Sequence, residues 1–113
     1  MQLRTGNLFS VDNREIRRSG EERVDVLVTG QRLNVERIVS MGHVSPEGFW
    51  YDDSRAEWVV LLSGAAVLEF EEDATLHEMR PGDYVLIEPH RRHRVAWTHA
   101  EERTVWLAIY HER

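Results

Sequence analysis

An all-β fold, a sandwich or a barrel, is what this 113-residue chain predicts, and three observations carry that prediction. Apolar and polar residues alternate with a period of two over most of the length. Short runs rich in β-branched and aromatic residues are bounded by glycine and proline turns. Only one stretch shows apolar residues at helical spacing, so the fold holds at most one short N-terminal helix. Composition does not choose between sandwich and barrel.

Taken in order, the chain begins with an arm. Leu8-Phe9 reads either as a short strand or as a segment laid on a neighbouring subunit, and Val11 to Arg18 is charged and expected at the surface. Ser19-Gly20-Glu21-Glu22 resembles a helix start, a serine cap with an acidic residue three places on. Val24, Leu27 and Val28 follow at helical spacing, and Gly30 is the stop. From residue 33 the period becomes two: Leu33, Val35, Val39 and Met41 alternate with Asn34, Glu36 and Ser40, a strand with one wet face. Gly42 to Gly48, with Pro46, is a loop.

Glu57 to Leu62 is apolar on both faces, Trp58/Val60/Leu62 and Val59/Leu61, so it belongs mid-domain or against a partner. After the Ser63-Gly64 turn, Ala66, Leu68 and Phe70 alternate with Val67, Glu69 and Glu71. Glu72-Asp73-Ala74 turns a hairpin, and Thr75 to Met79 returns. Pro81-Gly82 is a tight-turn pair, Tyr84 to Ile87 a strand, and Pro89 its end, because proline has no N–H for a ladder. On the next strand His93, Val95 and Trp97 are expected on one face, Arg92, Arg94 and Thr98 on the other. Thr104 to Tyr110 is the last strand. The total is about eight strands in a single domain, with residues 1–32 as arm and short helix and 33–110 as the all-β body.

Composition narrows the function. A domain of this length hides roughly 65% of its unfolded surface and needs no staples. With no cysteine, disulfides, thiolate metal sites and a cysteine nucleophile are excluded, in keeping with a reducing compartment. No signal-peptide-like or membrane-spanning run is present, so a cytoplasmic protein without membrane partners is expected. The formal charge of −6 argues against nucleic acid as a partner, and the basic Arg91-Arg92-His93-Arg94 is short and split between faces. No nucleophile elbow, phosphate-cradling loop or zinc-protease helix occurs. His43, His77, His99 and His111 lie near loops, strand ends or the terminus and are expected at the surface.

Gly82-Asp83, a strand, then Ile87-Glu88-Pro89-His90-Arg91-Arg92-His93 resembles the second motif of the cupins: glycine, five residues, proline, any, glycine, two residues, histidine. Gly82 and His93 stand in register; Glu88 replaces the proline, although Pro89 follows it, and His90 replaces the glycine. Glu57 to Gly64 resembles the end of the first cupin motif, a glutamate and then glycine after six residues. The resemblance spans about residues 33 to 110. It implies a double-stranded β-helix, the jelly-roll cupin barrel, with a pocket inside one end.

The first motif normally carries histidine-any-histidine shortly before the glutamate. Here those places hold Tyr51 and Asp53, or Trp50 and Asp52, according to the gap. The usual three histidines and one glutamate are therefore reduced to Glu57 and His93, with Asp52 or Asp53 as a further ligand and His90 as a fourth. Such a set suits a divalent ion, manganese, iron, nickel or zinc, held more weakly than by three imidazoles. Competing readings pair Glu57 with His93 without metal, or with Arg55, Arg92 or Arg94. Trp97 is the leading pocket-lining aromatic, with Tyr51 and Tyr84 after it. The expectation is a barrel that binds a divalent metal and a small polar metabolite, with a metal-free binding or structural barrel as the alternative. The doubly apolar strand suggests a homodimer.

Overall fold

The structure, a computed structural model, describes residues 3–11 and 22–112. It contains eight strands: β1 (Arg23–Thr29), β2 (Leu33–Ser40), β3 (Ala56–Ser63), β4 (Ala66–Phe70), β5 (Thr75–Met79), β6 (Tyr84–Ile87), β7 (His93–Thr98) and β8 (Thr104–His111). All pair antiparallel, in a five-stranded sheet ordered β1-β2-β8-β3-β6 and a three-stranded sheet ordered β5-β4-β7. One core joins them: Val59 and Leu61 on β3, Trp106 and Ala108 on β8, Leu68 and Phe70 on β4, and Val95 on β7. This is the two-layered double-stranded β-helix.

Residues 23–29 are not the expected short helix. They form β1, hydrogen-bonded to β2 from Arg23↔Val39 to Thr29↔Asn34. Val24, Leu27 and Val28 fit a helical period, but Val24, Val26 and Val28 fit a period of two with β-branched side chains. Pairing with β2 decides between the two, as tertiary contacts override weak local preference. Gly30 turns the β1–β2 hairpin, donating to the Leu33 carbonyl at 2.7 Å, instead of ending a helix. The proposed cap Ser19-Gly20-Glu21 and most of the charged Val11–Arg18 stretch lie outside the described residues. Leu8-Phe9 is a turn within an arm that crosses its own sheet. Arg37 donates to the carbonyls of Asn7, Leu8 and Ser10, and Arg103 Nη1 to that of Val11 at 2.8 Å.

Beneath that arm, Val11, Met41 and Leu62 pack on Val39 and Val105, a second apolar cluster outside the barrel. The apolar face of β2 therefore looks outward. Its wet face, with Glu36, looks into the barrel. His43, expected at the surface, is only 7% exposed, because its Nδ1 accepts the Met41 N–H at 2.7 Å and folds the ring under the loop.

Two turns show how closely the chain is fitted. Gly64 has φ +87°, and a methyl there would sit 2.6 Å from Thr104 Cα and 2.7 Å from the Arg103 carbonyl oxygen. Gly82 has φ +94° but open space around it. Gly64→Ala is expected to cost about 3 kcal/mol or more, strain plus clash, and Gly82→Ala only about 1–2 kcal/mol of strain. Urea denaturation of the two variants checks this, and equal losses would show that crowding against Thr104 contributes nothing.

Candidate functional site

One end of the barrel holds a cavity of about 240 Å³ between the sheets. Its floor is apolar, with Val59, Leu68, Ile87 and Val95. Its polar wall comes from alternate residues of strands in both sheets, as the period of two requires. Glu57 on β3 and His93 on β7 both point inward, at 8% and 7% exposure. His93 Nε2 stands 3.6 Å from Glu57 Oε1.

His93 is held from several sides. Its backbone exchanges hydrogen bonds with Tyr51, at 2.7 and 3.2 Å, and the Tyr51 ring stacks on the imidazole with centroids 5.6 Å apart. Phe70 lies at 6.0 Å on the barrel side. His93 Nδ1 is 2.9 Å from the Arg91 carbonyl, which as an acceptor places the proton on Nδ1. Only the doubly protonated ring can then also offer an N–H to Glu57. Burial, the largest influence, pushes the His93 pKa down; Glu57 and the Arg91 carbonyl more than offset it, and the net shift is upward from 6.5. Both side chains are close to nine-tenths buried, so removing one partner would leave the other's charge stranded, at a cost of about 3–5 kcal/mol.

Of the five residues expected as metal ligands, only Glu57 and His93 come together in the cavity. Asp52 and His90 meet each other at the surface, Nδ1 to Oδ1 2.8 Å, with 44% and 68% of their side chains exposed. Asp53 is bonded to Arg55 at 2.9 Å, and that guanidinium holds its carboxyl below the usual range. His90 has φ +62°. It occupies the glycine place of the motif in a left-handed conformation, which turns the ring away from His93's strand. Among the described residues no three His, Asp or Glu side chains are grouped as a metal would need. The four-ligand centre that the resemblance implies does not fit these residues.

The pairings offered for Glu57 with arginine are also taken up elsewhere. Arg55 binds Asp53, Arg92 binds Glu71 at 3.4 Å, and Arg94 binds Glu69 at 2.9 Å. The basic cluster thus faces the acids of the β4–β5 hairpin, Arg91 reaching Asp73 at 3.4 Å.

Of the aromatics, Tyr51 lines the cavity as expected. Trp97 and Tyr84 do not. Between Leu68↔Val95 and Val67↔Trp97 the β4–β7 register slips by one residue, a bulge at Ala96. It reverses the alternation, leaving Trp97 43% exposed and burying Thr98, whose hydroxyl donates to the His43 carbonyl at 2.7 Å. Tyr84 is on the outer face of β6, 65% exposed and against Trp58.

The structure adds residues that the sequence reading missed. Glu22 and Glu36 line the cavity, as do Trp106 and Tyr110. Ser40 and Tyr51 hydroxyls donate to Glu22, and Asn34 Nδ2 donates to Glu36 at 3.2 Å. Burial and the nearby Glu22 and Glu57 push the Tyr51 hydroxyl up to about 12. Burial with Glu57 and Glu36 raises Tyr110 further, so both phenols remain donors. Glu36 was visible as part of the polar face of β2, and Trp106 with Tyr110 as a period-two pair on β8.

Comparison with known proteins follows the same lines. Residues 39–110 match the family model described as the cupin domain. A structure from Ralstonia eutropha JMP134, provisionally named a mannose-6-phosphate isomerase, is 42% identical, covering 98% of this chain and 100% of that one with a TM-score of 0.87. A cupin superfamily protein from Desulfitobacterium hafniense DCB-2 is 17% identical over 88% of this chain and 84% of its own (TM-score 0.71). The polyketide cyclase RemF from Streptomyces resistomycificus is 13% identical over 100% and 81% (TM-score 0.75). The last two show the fold alone. No curated protein matches the chain.

The Glu57–His93 pair makes a prediction with a definite sign. A His93 pKa above 6.5 in the folded state means that protonation stabilises the fold fully below pH 6.5 and that this contribution fades as pH rises through the raised value. In an NMR titration, Glu57→Gln should move the His93 pKa down from its wild-type position, because burial then meets less opposition. An unchanged His93 titration in that variant would mean that the carboxylate does not hold the imidazolium.

Proposed function

Because this chain belongs to the cupin domain family, we propose that it uses its barrel cavity to bind a small polar molecule, with Glu57 and His93 as the groups that engage it. The observation that carries this reading is the inward-facing pair at 3.6 Å in a cavity of about 240 Å³. The pocket, at about 240 Å³, is smaller than the roughly 300–1,000 Å³ of sites for drug-sized ligands, which suits a small guest, and combines an apolar floor with a few convergent polar groups. An imidazolium beside a carboxylate is also a proton donor and acceptor within reach of a guest, so the site has the parts for acid–base chemistry. Cupin neighbours named as isomerase and cyclase are consistent with catalysis on this barrel, though fold alone names no reaction.

A divalent metal, manganese, iron, nickel or zinc, is the competing reading, and Glu57 with His93 would be its anchor. We favour direct ligand binding because Asp52, Asp53 and His90 are engaged elsewhere. Chelator-treated protein should gain several degrees of thermal stability from a polar small molecule found by screening metabolites, and none from the four metals. Glu57→Gln and His93→Gln should each abolish that gain. A stabilisation that disappears on chelation and returns with one of the metals would replace this reading with the metal-dependent one.

We also propose that the protein is a homodimer through the outer face of the large sheet. Trp58 and Val60 on β3, Tyr84 and Leu86 on β6, and Leu107 and Ile109 on β8 form an uncharged face. The arm covers its Val39–Val105 end and the neighbouring Arg37, which pairs with Asp25 beyond the uncharged patch. The same face of a second copy is an equally apolar partner. Light scattering at micromolar concentration should give twice the 13.3 kDa chain mass, and Trp58→Glu should give the single mass; a wild-type monomer would remove the proposal.

A further inference from the structure

We infer that the guest of this cavity is a small organic cation, an ammonium or amidinium group on a compact apolar body. The inference rests on the reading of the cavity as a ligand site and adds the chemical class. Three carboxylates, Glu22, Glu36 and Glu57, enter the wall against a single imidazole, His93. Among the described residues that line it there is no arginine, and the chain contains no lysine at all. Even with His93 protonated the wall is left formally two negative charges in excess.

The hydrogen bonds inside the wall orient these acids without cancelling their charge. Glu22 receives the hydroxyls of Ser40 and Tyr51, and Glu36 the amide of Asn34, all neutral donors. Glu57 is different. It is 8% exposed and faces the cavity, and the donor opposite it, His93 Nε2, stands 3.6 Å away, beyond hydrogen-bond length. A protonated His93 balances this carboxylate electrostatically at that distance, and a strong donor on a guest would complete its hydrogen bonding from inside the cavity.

Trp106 adds a second requirement. It lines the cavity at 3% exposure, and its indole Nε1, a donor only, has no hydrogen-bond partner, so the guest must also bring an acceptor such as a hydroxyl oxygen beside its cationic group. Tyr51 and Tyr110 also line the wall, Tyr51 stacked on His93 and Tyr110 under the Arg55 guanidinium at 4.4 Å, so one ring beside the acids already holds a cation. The remaining floor is aliphatic, so the charge must sit on an apolar body. At roughly 30 Å³ per water the volume corresponds to about eight waters, the size of a simple amine. A phosphate-bearing guest, as in the name of the Ralstonia eutropha neighbour, would set a dianion among three carboxylates with no arginine among the described lining residues, and Arg55, over the Tyr110 ring, is already bonded to Asp53.

The experiment uses the full chain, free of metal, and measures binding calorimetrically and by thermal shift. The probes are choline and phenethylammonium, the neutral carbon isostere of choline (3,3-dimethylbutan-1-ol), and mannose 6-phosphate. The cations are expected to bind at least about tenfold more tightly than the neutral isostere, more weakly as salt rises. Glu36→Gln should weaken the cations about tenfold and leave the neutral probe unchanged. If that variant does not fold, the salt dependence on wild type decides the same point.

Equal binding of choline and its isostere, or binding of mannose 6-phosphate in preference to both cations, would overturn the cation assignment while leaving a ligand-binding cavity in place. No binding of either cation at about 10 mM, far above a specific site's range, would overturn it too. In that case stabilisation by some other metabolite, lost in Glu57→Gln, would still support the broader reading.

Discussion

The site depends on one encounter across the barrel. Glu57 rides on the large sheet and His93 on the small one, thirty-six positions apart in the chain, and their meeting at 3.6 Å requires both sheets to be closed on a common core. Neither group would be comfortable there alone: burial disfavours the imidazolium and the carboxylate alike. Together, with the Arg91 carbonyl fixing the ring's other nitrogen, they form an ion pair whenever His93 is protonated, and the carboxylate favours that form of the ring. The stacked Tyr51 and the ring of Phe70 flank His93 in this orientation.

Much of this was written in the residues. The alternation of Leu33–Met41, of Ala66–Phe70 and of Thr104–Tyr110 describes strands directly, and the glycine and histidine of the second motif place Gly82 and His93 at their turn and their strand. What was not legible depends on contacts. Val24, Leu27 and Val28 satisfy two periods at once, and only the ladder with β2 selects the strand. Trp97 is carried outward by one unpaired residue, Ala96, and no local preference announces a bulge there.

The polar face of β2 shows a different limit. Alternation says that Asn34, Glu36 and Ser40 share a side, but not whether that side meets bulk water or a cavity. In this barrel the arm covers the apolar side from outside, and the polar side becomes interior wall. Hence two of the three acids that give the cavity its charge were read as ordinary surface or lost in an apparent helix. Likewise Asp52, Asp53 and His90 lie close to the expected ligand places in sequence, yet short-range bonds to one another and to Arg55 hold them at the rim.

β1 has a further consequence. It is the outermost strand of the large sheet, paired on one side only among the described residues, and it carries Val24 into the cavity wall directly after Glu22. Edge strands open at lower free energy than central ones, so part of the cavity wall lies on an edge ladder of the fold. A bound guest, by bridging β1 to the far wall, would slow amide exchange along this strand.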